Sequence, residues 1–153
     1  MRNIKKISQL LLCIGLLSQN LQAQKDLQDI PKPDLKEEQA SFSILDGFEI
    51  SLYAATPMIE KPTQINFDSE GRLWICGSHI YPQLNVNEEP SDRIVILEDT
   101  DNDGVADTSS IFYDKLIIPG GVLPDNQGGA YVANGDKLIH LSDTDGDGKA
   151  DTS

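Results

Sequence analysis

Residues 99–109 read DTDNDGVADTS and residues 143–153 read DTDGDGKADTS, identical at nine of eleven positions and 44 residues apart. Nothing else in the 153-residue sequence limits the fold as tightly. A string this long recurring at this distance means that one supersecondary unit is used twice. The likeness continues upstream: Gly71-Arg72-Leu73-Trp74-Ile75 precedes the first copy as Gly129-Ala130-Tyr131-Val132-Ala133 precedes the second. Arg93-Ile94-Val95-Ile96-Leu97 and Lys137-Leu138-Ile139-His140-Leu141 then lead directly into the acidic strings. A period near 44 with about four short strands per unit is the size of a β-propeller blade. The competing explanation is chance recurrence of an acidic hairpin loop in a β-sandwich.

The remaining grammar is that of short strands. Thr63 to Phe67, Leu73 to Cys76, Arg93 to Leu97, Ile111 to Tyr113, Ala130 to Ala133 and Lys137 to Leu141 are apolar-rich runs divided by Gly, Pro, Asn and Asp. Phe48-Glu49-Ile50-Ser51-Leu52-Tyr53 alternates apolar and polar side chains and reads as a further strand. Helix signals are nearly absent after residue 41, so the class is all-β. Even four blades of 44 residues would need about 176 residues. The expectation is therefore an incomplete β-propeller of about two blades, the N-terminal part of a longer protein. Such a piece should be unstable alone, because its outer sheet faces lack neighbours.

The first residues follow another logic. Arg2, Lys5 and Lys6 precede an apolar run from Ile7 to Leu17, and then comes Asn20-Leu21-Gln22-Ala23. That order is the charged, apolar and small-residue pattern of a secretory signal peptide over residues 1–23. The run is too short to span a bilayer, which takes about 20 apolar residues. Residues 24–41, with Pro31, Pro33 and Lys36-Glu37-Glu38, read as a polar linker or arm without helical apolar periodicity. Residues 42–153 hold the β domain. The expected location is periplasmic or extracellular, in a bacterium.

Loss of the three basic residues with the signal would move the net charge from −13 to −16. So acidic a surface repels phosphate backbones and anionic headgroups, which argues against nucleic-acid and membrane-surface roles. Of the two cysteines, Cys13 lies in the signal, so Cys76 has no intramolecular partner after processing. No CxxC or CxxCH motif is present, and zinc, thiol redox and haem attachment have no support in this stretch. A lipid anchor on Cys13 would place Leu12 where a lipobox carries Gly or Ala.

The repeated string has the form D-x-D-x-D-G-x-x-D. Four carboxylates converging to about 5 Å would repel by ~3 kcal/mol per pair at an effective dielectric near 20. A hard cation with six or seven oxygen ligands relieves that repulsion, and calcium tolerates the flexible geometry better than magnesium. The candidate ligands are Asp99, Asp101, Asp103 and Asp107 with the Val105 carbonyl, and Asp143, Asp145, Asp147 and Asp151 with the Lys149 carbonyl. Gly104 and Gly148 stand where the backbone must turn with positive φ. The loop departs from an EF-hand, whose twelfth position is Glu where this sequence has Ser110. It resembles the nine-residue calcium hairpins of integrin-type propellers, in which the ninth-position Asp closes the site. The alternative is a solvated acidic turn whose Asp side chains bond their own backbone.

Other residues carry weaker signals. Trp74 and Cys76 read as core, and His140 as structural. His79 and Tyr81 open a long insertion, Ser78 to Asp92, of the kind that lines a propeller mouth. No nucleophile elbow, phosphate loop or HExxH helix is present, so no catalytic or organic-cofactor residue is assigned.

Phe48-Glu49, Ala54-Ala55, Lys61-Pro62, Phe67-Asp68, Gly71-Arg72-Leu73-Trp74, Tyr81-Pro82, the run Asp92 to Asp99 and the two DTDxDGxAD loops together resemble a family of membrane-bound dehydrogenases. These are secreted bacterial propellers similar to the soluble quinoprotein sugar dehydrogenases. The resemblance covers roughly residues 41–153. It implies that the whole protein oxidises a sugar or alcohol, with a quinone and a haem c electron-acceptor domain. The family's CxxCH tail and histidine-bearing blades are not in this sequence, so no catalytic residue carries over. A non-enzymatic calcium propeller of the integrin or FG-GAP kind, binding glycans or proteins, is the alternative from another class.

Overall fold

Asp34 starts the described part of the chain: the computed structural model describes residues 34–82, 87 and 89–151. The signal-peptide reading and most of the linker reading therefore lie outside the described residues. The chain divides into two units, Met1–Phe42 and Ser43–Ser153. In the first, the last part of the expected linker or arm forms a helix α1 (Leu35–Ser41), which the lack of apolar periodicity did not suggest. Its cause is local: the Asp34 carboxylate accepts from the N–H groups of Lys36 (2.9 Å) and Glu37 (3.2 Å). Glu37 and Glu38 add negative charge at the positive end of the helix. The signal available in the sequence was an Asp followed three residues later by Glu, the pattern of a capping box.

The second unit is all-β. Strands β1 (Pro62–Phe67), β2 (Leu73–Gly77), β3 (Asp92–Glu98) and β4 (Thr108–Leu116) form a four-stranded antiparallel meander in chain order. Strands β5 (Pro119–Pro124), β6 (Gly129–Asn134) and β7 (Lys137–Ser142) form a three-stranded one. Strand β5 is the one the sequence reading passed over, because Pro119-Gly120-Gly121 has the composition of a turn. Conversely, Phe48–Tyr53 alternates like a strand but belongs to neither sheet.

The two sheets repeat each other in detail. Each opens on a non-glycine residue of positive φ before a proline: Lys61 (φ 40) before Pro62 and Ile118 (φ 47) before Pro119. Each then has a register irregularity at the same place, Pro62/Gln64 and Pro119/Gly121. In each hairpin turn an Asp carboxylate accepts the backbone N–H four residues on, Arg72 to Asp68 and Gly129 to Asp125, both at 2.9 Å. Gly71 (φ 83) therefore matches Gly128 (φ 89), one residue earlier than the sequence alignment with Gly129 suggested. The first two strands are thus 57 residues apart between units, while the third strands and loops are 44 apart. The difference lies in the connection between β2 and β3.

The sheets stack in one direction. The front face of the first (Trp74, Cys76, Ile94, Ile96, Phe112) packs on the back face of the second (Val122, Ala130, Val132, Leu141). Trp74 meets Phe112 edge-on at 4.7 Å. The innermost strands are tied by polar side chains: Thr63 Oγ1 donates to Pro119 O (2.7 Å), and Gln64 Oε1 accepts from Val122 N–H (2.8 Å). The back face of the first sheet (Leu73, Ile75, Val95, Leu97) is covered in part by Tyr53, Ala54, Met58 and Ile59. Asp92, fully buried at the start of β3, accepts from Ser78 Oγ and the N–H groups of His79, Ile80 and Ile118. It thereby fixes the insertion to the second sheet's entry. Burial pushes its carboxyl up, but these four donors outweigh that and hold it below the ordinary value.

Candidate metal sites

Each acidic string leaves the third strand of its sheet, β3 or β7, and turns back along it. The return is set by one backbone bond: Asp107 N–H donates to Glu98 O and Asp151 N–H to Ser142 O, both at 2.9 Å. The preceding alanine anchors the loop sideways, Ala106 N–H to Tyr53 O (2.9 Å) and Ala150 N–H to Phe112 O (2.8 Å). Positive φ falls at Asn102 and Gly104 in the first loop and at Gly146 and Gly148 in the second. The glycines at the sixth position behave as the sequence requires.

Within the loops the carboxylates meet backbone N–H groups. Asp99 Oδ2 accepts from Gly104 and Asp143 Oδ2 from Gly148, both at 2.9 Å. Asp103 Oδ1 accepts from Val105 and Asp147 Oδ1 from Lys149, both at 2.8 Å. Asp101 and Asp145 cap Asp103 and Asp147 in the same manner. These bonds are those of a solvated acidic turn, and they also hold the carboxylates on one side of the loop.

Three of the four carboxylates converge in each case. Ligand oxygens of Asp99, Asp101 and Asp107 lie within 4.8 Å of one another, and so do those of Asp143, Asp145 and Asp147. Oxygens on opposite sides of a calcium ion at 2.3–2.6 Å are about 4.6–5.2 Å apart, so both groupings have the span of a calcium shell. The all-oxygen donor sets suit a hard cation. Asp103 and Asp151 stand outside these groupings. Val105 and Lys149 contribute backbone N–H bonds, as above.

The residue that sequence reasoning missed is the second of each string. Thr100 donates through both its N–H and its hydroxyl to Asp107 Oδ2, and Thr144 does the same to Asp151 Oδ2. The threonine hydroxyl first, then its N–H, pull the carboxyls of Asp107 and Asp151 below the ordinary value. Both stay ionised, as a metal ligand must. Burial, followed by the fields of Asp99, Asp107 and Glu98, pushes the Tyr53 phenol up. That phenol senses the uncompensated charge of the first loop.

The other candidates resolve as follows. His79 Nε2 pairs with Glu60 at 3.0 Å, and His140 Nε2 with Asp125 at 2.7 Å. His140 Nδ1 also lies 3.2 Å from Ser142 Oγ. Asp125 and His140 repeat the turn carboxylate and ring N–H of the first sheet, where Trp74 Nε1 donates to Asp68 at 2.9 Å. His140 thus stands in the second sheet where Trp74 stands in the first, as the ring partner of the turn carboxylate. Cys76 is fully buried, and burial pushes its thiol up to about 12 despite a hydrogen bond from Gly121. A cleft of about 310 Å³ lies beside the second loop, with Glu70, Arg72, Asn126 and Asp143 on its walls.

Residues 34–153 match the family described as a domain of unknown function, DUF7133. The chain belongs to that family. No curated protein and no solved structure matches it. For this DUF7133 chain, the described residues include no helix long and apolar enough to cross a membrane.

Proposed function

We propose that this DUF7133 chain is the N-terminal portion of an exported, dehydrogenase-like β-propeller whose hairpin loops bind calcium. The observation that carries the calcium reading is the convergence of three carboxylates in each acidic loop, at the first, third and ninth positions in one and the first, third and fifth in the other. The propeller reading draws on the front-to-back stacking of two equivalent sheets, an arrangement that repeats without limit until a ring closes. Calcium here stabilises: each ion bridges groups that otherwise repel, and it binds only the folded loop. At ten times its dissociation constant one such ion adds about 1.4 kcal/mol of stability. Extracellular sites of this kind have dissociation constants of about 10⁻⁴ to 10⁻³ M.

Thermal melting tests this reading. Millimolar calcium should raise the melting temperature by several degrees over a chelator, and Asp101→Ala should remove about half of the gain. A melting temperature indifferent to chelator would leave the loops as ordinary turns.

Oxidation of a sugar or alcohol, with quinone and haem c, belongs to the whole protein under this proposal and rests on the family resemblance. A non-enzymatic glycan- or protein-binding propeller is the second reading, favoured by the polar cleft beside the second loop. Quinone-dependent dye reduction with aldoses, run on the whole protein, separates the two. Turnover supports the dehydrogenase, and saccharide binding without turnover supports the binder.

A further inference from the structure

Where two copies of one design differ, the difference is not needed by the design itself. In the second sheet β6 turns directly into β7, and Asn134 Oδ1 closes the entry by accepting from Ile117 N–H at 2.8 Å. By the 57- and 44-residue offsets, the first sheet has Gly77 in place of Asn134 and Glu60 in place of Ile117. It has Arg93 in place of Lys137, which is exposed. The insertion that begins at Ser78 adds His79, for which the second sheet has no counterpart.

These four differences meet in one place. A cavity of about 90 Å³ lies between residues 57–60 and the back face of β2 and β3, with Glu60, His79 and Arg93 beside apolar Met58, Ile75 and Val95. Both of its walls are described parts of this chain. Gly77 leaves room for it: a Cβ there would come within 3.2 Å of the Glu60 carbonyl oxygen and 3.8 Å of Arg93 Cγ. The start of the insertion is held from behind. His79 N–H donates to the buried Asp92 at 2.6 Å, and its carbonyl accepts from Lys61 Nζ at 3.3 Å. The His79 ring then pairs with Glu60 at 3.0 Å. Arg93 is the group left over. It is half-buried, and its Nε–H is out of reach of water yet has no acceptor. Among the described residues it makes no ion pair, and the acid beside it, Glu60, is joined to His79 instead. A buried guanidinium without an acceptor costs free energy, and its planar fork fits a carboxylate through two parallel hydrogen bonds.

We propose that this cavity binds a small hydroxycarboxylate. The ligand's carboxylate lies on the Arg93 fork, and its hydroxyl meets the Glu60–His79 pair. A volume of about 90 Å³ is the share of about three waters, which suits an acid of about two or three carbons such as glycolate or lactate. The apolar wall of Met58, Ile75 and Val95 excludes water from the ion pair and strengthens it. The inference stands apart from the calcium reading and from the dehydrogenase reading, since it uses neither acidic loop and no reaction.

Titration of glycolate into the full chain, followed on the arginine Nε–H resonances by nuclear magnetic resonance, tests it. The Arg93 Nε–H should shift saturably with a dissociation constant of about 1 mM, the scale for a ligand of about five heavy atoms. The Arg72 Nε–H, already bonded to Asp68 at 2.8 Å, should not move. Sodium chloride at equal ionic strength should leave both in place. Arg93→Lys, which keeps the charge and loses the fork, should weaken glycolate at least about fivefold. Lys137→Gln, at the equivalent place in the second sheet, should leave the constant unchanged. Acetate should bind at least about threefold more weakly than glycolate, and equal binding would overturn the assignment to hydroxy acids. The unsubstituted chain decides the main point whether or not a variant folds. An Arg93 Nε–H that ignores glycolate at about ten times the expected constant, or follows chloride equally, would overturn the inference.

Discussion

Trp74 and Tyr131 hold the same position in two sheets of one design, yet Trp74 is 3% exposed and Tyr131 46%. Trp74 is enclosed because the second sheet lies on its face; Tyr131 has strand neighbours such as His140, ring to ring at 4.6 Å, and no sheet over it among the described residues. The difference teaches that turn, bulge and register are written locally and reproduced twice, whereas burial is conferred by whatever stacks on the face. The same contrast holds for the entry to the third strand. Asp92 is buried under four donors, while Asp136, its equivalent 44 residues on, is exposed in a tight turn.

The largest expected effect sharpens the first contrast. Trp74→Ala should cost about 3–5 kcal/mol, the range for a large aromatic removed from a packed core. Tyr131→Ala should cost under about 1 kcal/mol, the scale of a cross-strand pair on an open face. Urea unfolding of both variants measures the gap, and equal losses would erase the distinction between the sheets.

Next in size is the Asp92 pair. Asp92→Ala leaves four donors without their acceptor and should cost about 2–4 kcal/mol, whereas Asp136→Ala should stay within about 0.5 kcal/mol. The pH dependence has a definite sign. The folded Asp92 carboxyl lies below its ordinary 3.8, so its contribution is complete above that value and fades as pH falls through the lower folded pKa. Asp68 adds the same sign: burial raises it, but Trp74 and Arg72 donors hold it lower. Acid titration of stability should therefore steepen below pH 3.8, and Asp92→Asn should flatten the slope. A wild-type curve as flat as that of the variant would contradict the assignment.

Much of the fold could be read from the sequence, because it is encoded locally. Six strands follow from apolar runs between turn residues, and the 44-residue period marks the unit. Strand β5 escaped because its identity lies in pairing with Gly129–Asn134 rather than in composition. Residues 48–53 carry the correct alternation but join neither sheet of the described residues, since pattern specifies a strand and not its neighbour. Helix α1 escaped because a single N-cap, not an apolar stripe, sets it. In the loops the eight aspartates were legible, but not which three would converge. The carboxylates are held by backbone N–H groups and by Thr100 and Thr144, contacts between polar groups that composition does not reveal.

A smaller effect compares the two loops. Gly104 and Gly148 have φ near 88° and 85° with open space around them, so only backbone strain opposes a side chain. Val at either position should cost about 1–2 kcal/mol or slightly more, and nearly the same in both loops. Thermal melts without calcium would detect an asymmetry, which would mean that the loops are not equivalent.

Isothermal titration of calcium into the chelator-treated chain tests the central claim most directly. Two calcium ions per chain are predicted, with dissociation constants of about 10⁻⁴ to 10⁻³ M and a poor response to magnesium. Asp145→Ala should remove one of them and leave the other. The absence of calcium-specific heat in a folded chain would contradict the account and return both DTDxDGxAD strings to solvated turns.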